Sequence, residues 1–384
     1  MSNSLTALAP TLFAAADVVA NEPANVLGAI DLRSLNAAYG DTVTIPVAPS
    51  ASATSWTPSM AVSEGTSKTA TSVAITQTAS SVTSWHLTDE QVLSLSNGTG
   101  NDNRADWVKQ LIAQGMRTLR NEAAAAALVV IKEGSSRAYG TAATTPFASD
   151  LTALTAIRKI LRENGAPMAD LQCIVDTAAY LNLTNLGIIQ QAGMAGSDAE
   201  RRDGIVRRQF GFQISEDSNI AAHTAGTNSG RLFSATEPVA ETSLAYDGGS
   251  GTFEAGDVLA FGSGGGSGSA DANKYVVSTD SSATPVLINK PGLKIQHVDN
   301  DTMTTTAAYT PNVAFERMAV VGFVRPPRIE PSGIISVMPI TDTKGTGLQY
   351  LLTETRGYGE VTWQLHLQYG FKVVMPQFVA TIIG

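Results

Sequence analysis

The sequence predicts an α+β fold in which an extended hairpin leads into a long helix and a β-rich unit interrupts an α/β body. Three observations carry this. Apolar residues recur at three- and four-residue steps from Arg104 to Glu133. Two strand-period segments, 42–47 and 72–76, flank about two dozen Ser-, Thr- and Ala-rich residues. Composition turns Gly-, Ser- and Thr-rich, with almost no helical period, from Glu237 to Pro311.

Each element follows from its own pattern. Residues 1–40 read as an N-terminal arm of short helical pieces broken by Pro10 and Pro23. Val43, Ile45 and Val47 alternate with polar residues, and Val73 and Ile75 repeat the pattern, so 41–86 reads as a two-stranded hairpin leaving the body. Pro46 makes its strand an edge strand. An isolated hairpin is marginal in water, so it needs a surface to lie on: a neighbouring chain, or its own domain.

Within 87–146, the helix of 104–133 carries Val108, Leu111, Ile112, Met116, Leu119, Ala123, Ala126 and Val130 on one face. Its length is roughly 45 Å at the standard rise. Asp102 or Asn103 is placed to cap it and Gly134 to stop it. Over 147–236 helical and strand patterns alternate: Asp150 heads a helix through Leu154, Ile157, Ile160 and Leu161 to Asn164-Gly165. Leu171 to Val175 reads as a buried strand, and Thr177 to Leu186 as a helix.

The stretch 237–311 holds short strands at Val258 to Phe261, Lys274 to Ser278 and Pro285 to Ile288, enough for an inserted small β-barrel or sandwich. Closing strands fill 312–384. Val361, Trp363, Leu365, Leu367 and Tyr369 alternate with polar residues; Gly370 then turns the chain into a last strand through Val379 to Ile383.

Composition bounds the function. Of 384 residues, 43% are apolar, enough for a substantial core, but only 15% are charged and 34 are glycine. This excludes a coiled coil and a solvated, highly charged chain, and suits a surface covered by neighbours. A net charge of −9 disfavours bulk attraction to nucleic acid. No apolar run approaches the roughly 18 residues of a membrane span. Leu5 to Ala20 lacks a preceding basic residue and contains Asp17, so no secretory signal is expected. The single cysteine, Cys173, lies in an apolar run and reads as a buried thiol in a reducing compartment.

No chemistry-bearing constellation emerges. Gly262 to Gly268 fits neither a dinucleotide fingerprint nor a P-loop, and precedes a strand where a phosphate site needs a helix. It reads as a hairpin tip. His86, His223, His297 and His366 show no metal-ligand spacing, and His366 falls on the polar face of its strand. Asp299-Asn300-Asp301 suits an Asx-type turn better than a cation site. No Gly-x-Ser-x-Gly elbow or paired carboxylates occur. Neither a catalytic residue, a cofactor nor a metal is expected. Arg201, Arg202, Arg207 and Arg208 form the one charge cluster, suited to pairing with carboxylates of this chain or a neighbour.

The order of these parts resembles the major capsid proteins of tailed bacteriophages, whose subunits share the Hong Kong 97 fold. It is most similar to the Salmonella-phage coat-protein branch, which carries an inserted β-barrel. Three stretches carry that likeness: Gly204-Ile205-Val206-Arg207-Arg208-Gln209-Phe210-Gly211-Phe212; Ala255 to Phe261 with Tyr275 to Ile288 and Lys290-Pro291-Gly292-Leu293; and Tyr369-Gly370-Phe371-Lys372-Val373-Val374-Met375-Pro376. The inserted region departs from the branch in having a glycine-rich tip where the family has a longer loop.

The resemblance implies an icosahedral head shell built of hexamers and pentamers of this chain, which encloses DNA without reading its sequence. It implies a scaffolding protein and a portal during assembly in the host cytoplasm, a decoration protein as a possible addition, and the virion as the final location. The hairpin would be the E-loop lying over a neighbour, with Trp56, Met60 and Lys68 at that interface beside the arginine cluster. Some relatives cross-link a hairpin lysine; the Salmonella-phage branch does not, and no cross-link through Lys68 is expected. A compact monomer of this length exposes roughly 14,000 Å², and obligate contacts of roughly 2,000–5,000 Å² each would cover much of it. Two other readings follow from the same sequence: an encapsulin-like nanocompartment shell, and a β-rich glycan-binding or hydrolytic phage tail or surface protein. The inserted β unit argues against the first, and an aromatic content of 6% against the second.

Overall fold

The computed structural model describes residues 25–34, 40–47, 58, 69, 71–77, 79–96, 103–190, 206, 208–263, 271–332, 335–341 and 347–384. The chain opens with a helical turn α1 (Asn25–Ala29), then β1 (Asp31–Ser34), β2 (Thr42–Val47), β3 (Thr71–Thr76), β4 (Ala79–Thr88), α2 (Asp89–Ser96) and the long helix α3 (Asn103–Glu133). The α/β body follows as β5 (Arg137–Gly140), α4 (Thr152–Glu163), β6 (Leu171–Val175), α5 (Thr177–Asn185), α6 (Gly187–Gln190), β7 (Arg208–Gln209) and β8 (Phe212–Glu216). Short strands come next: β9 (Ser229–Phe233), β10 (Ser243–Leu244), β11 (Tyr246–Ser250), β12 (Val258–Gly262), β13 (Lys274–Val276), β14 (Val286–Leu287) and β15 (Thr302–Thr305). The chain closes with β16 (Pro311–Glu316), β17 (Val320–Arg325), β18 (Ile335–Thr341), β19 (Gln349–Arg356), β20 (Glu360–Val373) and β21 (Val379–Ile383).

The period-two pattern of β20 explains the first sheet. Trp363, Leu365, Leu367 and Tyr369 are buried on the face that packs against α3. One edge of β20 pairs with β4 from Glu360 to Tyr369; the other pairs with β19 and then with β17. The sheet runs β1-β17-β20-β19-β18, with β4 added on β20. The helix meets it with Val108, Ile112, Met116, Leu119, Ala123, Ala127 and Ile131, all almost wholly buried. Leu111, Ala126 and Val130, expected on that face, are partly buried at its margin.

The first 40 residues were expected to form an arm. In its described part Val26, Leu27, Ala29 and Ile30 are buried in the main core together with apolar residues of α3. Asp217 anchors them, its Oδ2 accepting from Val26 N at 3.4 Å. β1 then adds to β17 in parallel.

The second sheet has the order β11-β9-β15-β12-β13-β5-β21-β16-β6-β8-β7. Its α/β half packs α4 and α5 around Leu154, Ile157, Leu161, Leu171, Cys173, Leu183 and Phe212. α4 ends in a Schellman turn, with Gly165 N on Arg162 O and Ala166 N on Leu161 O, both at 3.0 Å. Asp150 Oδ1 takes the Thr152 N–H at 2.8 Å, and Asp176 caps α5 through Ala178 N at 3.2 Å. The β-rich half has a core of its own, from Phe233, Tyr246, Phe253, Leu259, Phe261, Tyr275, Val286 and Met303. Strand pairing in this half begins at Ser229, and β13 joins it to the α/β half through β5.

Gly370 was expected to turn the chain, but β20 runs through it to Val373. The physical reason is proximity: a Cβ on Gly370 would stand 3.1 Å from Thr76 O and 3.2 Å from Gln77 Cα, where the hairpin backbone crosses the strand. Gly134 also serves a close approach. Its N–H still bonds Val130 O at 2.9 Å, and a Cβ there would lie 2.6 Å from Val373 Cβ. Gly134→Ala is therefore expected to cost about 1–3 kcal/mol by overpacking, read by chemical denaturation. Gly28→Ala, with open space around it, is the matched control and should cost nothing.

Candidate assembly surface

The hairpin forms from the two expected pairing segments, but the end of the expected 41–86 span is not part of it: 79–88 is β4, paired along β20 in the main sheet. β2 and β3 pair antiparallel with Val43 opposite Ile75, Ile45 opposite Val73 and Val47 opposite Thr71. This register puts every branched apolar side chain on one face and Thr42, Thr44, Pro46, Ser72 and Ala74 on the other, which is exposed. The apolar face rests at its base on β17: Ile75 is buried against Val321, Phe323 and Val374, while Val43, Ile45, Val47 and Val73 are only partly covered. The base is thus supported by its own domain. Gly40 N bonds Gln77 O at 3.0 Å, and Arg325 Nε bonds Gln77 Oε1 at 2.9 Å, pinning the hairpin root to the sheet.

Trp56, Met60 and Lys68, expected at a subunit interface, lie outside the described residues, as do Arg201, Arg202 and Arg207. Arg208 is described. It is exposed on β7, opposite Gln213, beside an open cleft of about 510 Å³ shared with Asp170. The two-residue connection Phe210-Gly211 has positive φ at both positions, 50° and 88°, as a type I′ hairpin requires. It leaves the Phe210 ring 41% exposed, and Arg158 Nη1 holds the Phe210 carbonyl at 2.8 Å.

Sequence reasoning did not single out two exposed apolar side chains. Tyr358 stands fully exposed at the β19–β20 tip and Met318 is 66% exposed. The Gly357-Tyr358-Gly359 pattern is a readable turn signal for the first; nothing in the sequence marks the second.

Among the described residues no cluster of His, Cys, Asp and Glu is arranged to hold a metal, and no helix is long and apolar enough to cross a membrane. Cys173 is fully buried, and burial pushes its thiol up to about 12, so it is inert as a nucleophile. The Asp299-Asn300-Asp301 segment is the expected turn: Asn300 has φ 66°, and Asp301 Oδ2 takes Val298 N at 3.2 Å and His297 Nδ1 at 3.0 Å. His366 is half-buried, its Nε2 3.3 Å from Thr353 Oγ1, and burial lowers its pKa.

His297 sits fully buried between Asp301 and Asp271, the latter 3.6 Å from Nε2. Burial alone would lower its pKa, but the nearby Asp271 carboxylate and the hydrogen bond to Asp301 outweigh it and raise the value above 6.5. Burial likewise works against the Asp271 carboxylate, yet the nearby His297 ring and hydrogen bonds from Tyr275 and Asn273 hold it below 3.8. The His297 contribution is complete below the ordinary histidine value and is lost as pH rises through the raised one. The Asp271 contribution is complete above the ordinary aspartate value and is lost as pH falls through the depressed one. Thermal melts should therefore show stability falling on the alkaline side of 6.5 and again on the acid side of 3.8. His297→Gln should remove the alkaline limb.

No family model matches the chain, and no curated protein matches it in sequence. Its similarity is to solved shells. The capsid of cyanophage P-SCSP1u matches with a TM-score of 0.50 at 11% identity, over 92% of this chain and 86% of that one. The mature capsid of bacteriophage PhiM1 matches with a TM-score of 0.47 at 12% identity, over 94% and 86%. A virus-like particle from Pyrococcus furiosus matches with a TM-score of 0.43 at 7% identity, over 97% and 96%. At such identities the likeness is one of fold. This chain has the fold of phage capsid subunits.

Proposed function

We propose that this protein is the major capsid subunit of a tailed bacteriophage, a structural protein of the Hong Kong 97 type without enzymatic activity. The observation that carries the reading is the fold likeness to the cyanophage capsid over 92% of the chain. The hairpin gives it a mechanism. Its apolar face is covered at the root by β17 and left partly open at Val43, Ile45, Val47 and Val73, so a neighbouring copy gains by covering it. Burying apolar surface stabilises by about 25 cal/mol per Å², and repeated contacts of this kind close a shell. Residues 41–86 are then the E-loop, α3 the spine, 147–236 the axial domain and 237–311 the inserted barrel. Trp56, Met60, Lys68 and the arginine cluster face other subunits.

On this reading the chain assembles with itself into hexamers and pentamers, with a scaffolding protein and portal in the host cytoplasm, and ends in the virion around DNA it does not read. The sparse charge of the chain supports it, since interface cores are depleted in charge. The test is deletion of residues 50–70 with β2 and β3 kept. The variant should melt within a few degrees of the full chain, because Ile75 still packs on Val321 and Phe323, yet form no closed shells by negative-stain microscopy with or without a scaffold. Normal shells from the deleted chain would sink the proposal.

A further inference from the structure

A second buried polar cluster lies where the end of α3 meets the β-rich half. Lys132, in the last turn of α3, is 9% exposed, and its Nζ is 3.1 Å from His223 Nδ1. His223 is 6% exposed, with Nε2 2.9 Å from Oδ1 of Asp257, which is fully buried in the turn before β12. The neighbours fix each member. His223 N bonds Tyr309 O at 2.8 Å and Tyr309 N bonds His223 O at 3.3 Å, with ring centroids 5.1 Å apart. Asp257 also accepts from Gly226 N at 3.0 Å and Glu254 N at 2.9 Å. The Tyr309 hydroxyl donates to Gly256 O at 2.6 Å, and a Cβ on Gly256 would stand 2.7 Å from Lys132 Cε.

Proton counting limits the charge. A nitrogen–nitrogen contact needs one donor and one acceptor, so Lys132 and His223 together hold at most a single positive charge while the contact lasts. A further proton would set N–H against N–H in a mostly buried site, and an unmet buried donor is costly. The other charged groups do not absorb it. Glu133 Oε1 is 3.9 Å from Lys132 Nζ, and burial raises its carboxyl, so it weakens as an anion on acidification. Asp280 is committed to Ala255 N at 2.7 Å, and Lys372 adds positive charge nearby.

We propose that the Lys132–His223–Asp257 chain is an acid-released latch: on acidification a second proton breaks the Lys132–His223 contact and frees the turn before β12 from the end of α3. The proposal is independent of the shell reading, because every group belongs to one subunit.

Hydrogen–deuterium exchange of the unassembled full-length chain at about pH 7.5 and about pH 5, corrected for intrinsic rates, reads the contact before and after acidification. Exchange over 128–134, 221–228 and 254–258 should rise about tenfold or more at the lower pH, the equilibrium effect of losing one charge-assisted hydrogen bond. Peptides around His297 should not respond, since its ion cluster is favoured by acid. In His223→Gln the amide donates to Asp257 and accepts from Lys132 without titrating, and in Lys132→Met the opposing cation is gone, so both should lose the acid response. Equal acceleration in the wild type and His223→Gln, or none in the wild type, would overturn the latch. Should Lys132→Met fail to fold, His223→Gln alone decides.

Discussion

The packing of α3 against β20 is the interaction on which the other parts depend. β20 bonds β4 along one edge and β19 and β17 along the other, so three strands take their position from one. That strand presents Trp363, Leu365, Leu367 and Tyr369 to the helix. Fully burying side chains of this size is worth about 1.5–3 kcal/mol each, a gain that exists only while the helix covers the sheet. Closeness follows from small residues: the Cβ position of Gly115 lies 3.4 Å from the Trp85 ring and 3.6 Å from Leu365. The helix in turn positions the hairpin root, through β4, and the junction with the β-rich half, through Lys132.

Charge is scarce in this chain, and several buried charges sit at joints between parts. Arg137 is almost wholly buried in β5, the strand that joins the two halves of the large sheet. Its guanidinium reaches Glu163 at 3.1 Å, Asn273 at 2.9 Å and Asn164 at 2.8 Å, so it fastens α4 and the approach to β13 at once. Lys132, His223 and Asp257 fasten α3 to the turn before β12, and His297 locks the loop around Asp271 to that around Asp301. Buried ionic groups contribute little net stability over an apolar replacement. Their directional bonds fix how one part meets another, which apolar packing alone leaves loosely specified. On the proposed function, a subunit repeated around a shell would need that relation held constant.

The hairpin is divided between two surfaces. Its root is covered by β17, and the partly open row beyond it is too apolar to be left to water at no cost and too narrow to form a core. On the proposed function, such a division would let the monomer keep the element in place before a neighbour completes its burial.

Periodicity alone determined the long helix, the hairpin pairing segments, the buried strand at Leu171 to Val175, the helices at 152–163 and 177–185 and the alternation of β20, because each is written in residues close along the chain. What the tertiary structure decided are relations between distant residues. Gly370 looks like a turn until the hairpin backbone is seen crossing it, and Val26 to Ile30 look like an arm until α3 and Asp217 are seen to enclose them. His223, Lys132 and Asp257 are separated by tens of residues and share no pattern. Only folding sets them within hydrogen-bond distance, because contact between remote side chains follows from the packing of whole elements and local sequence spacing does not encode it.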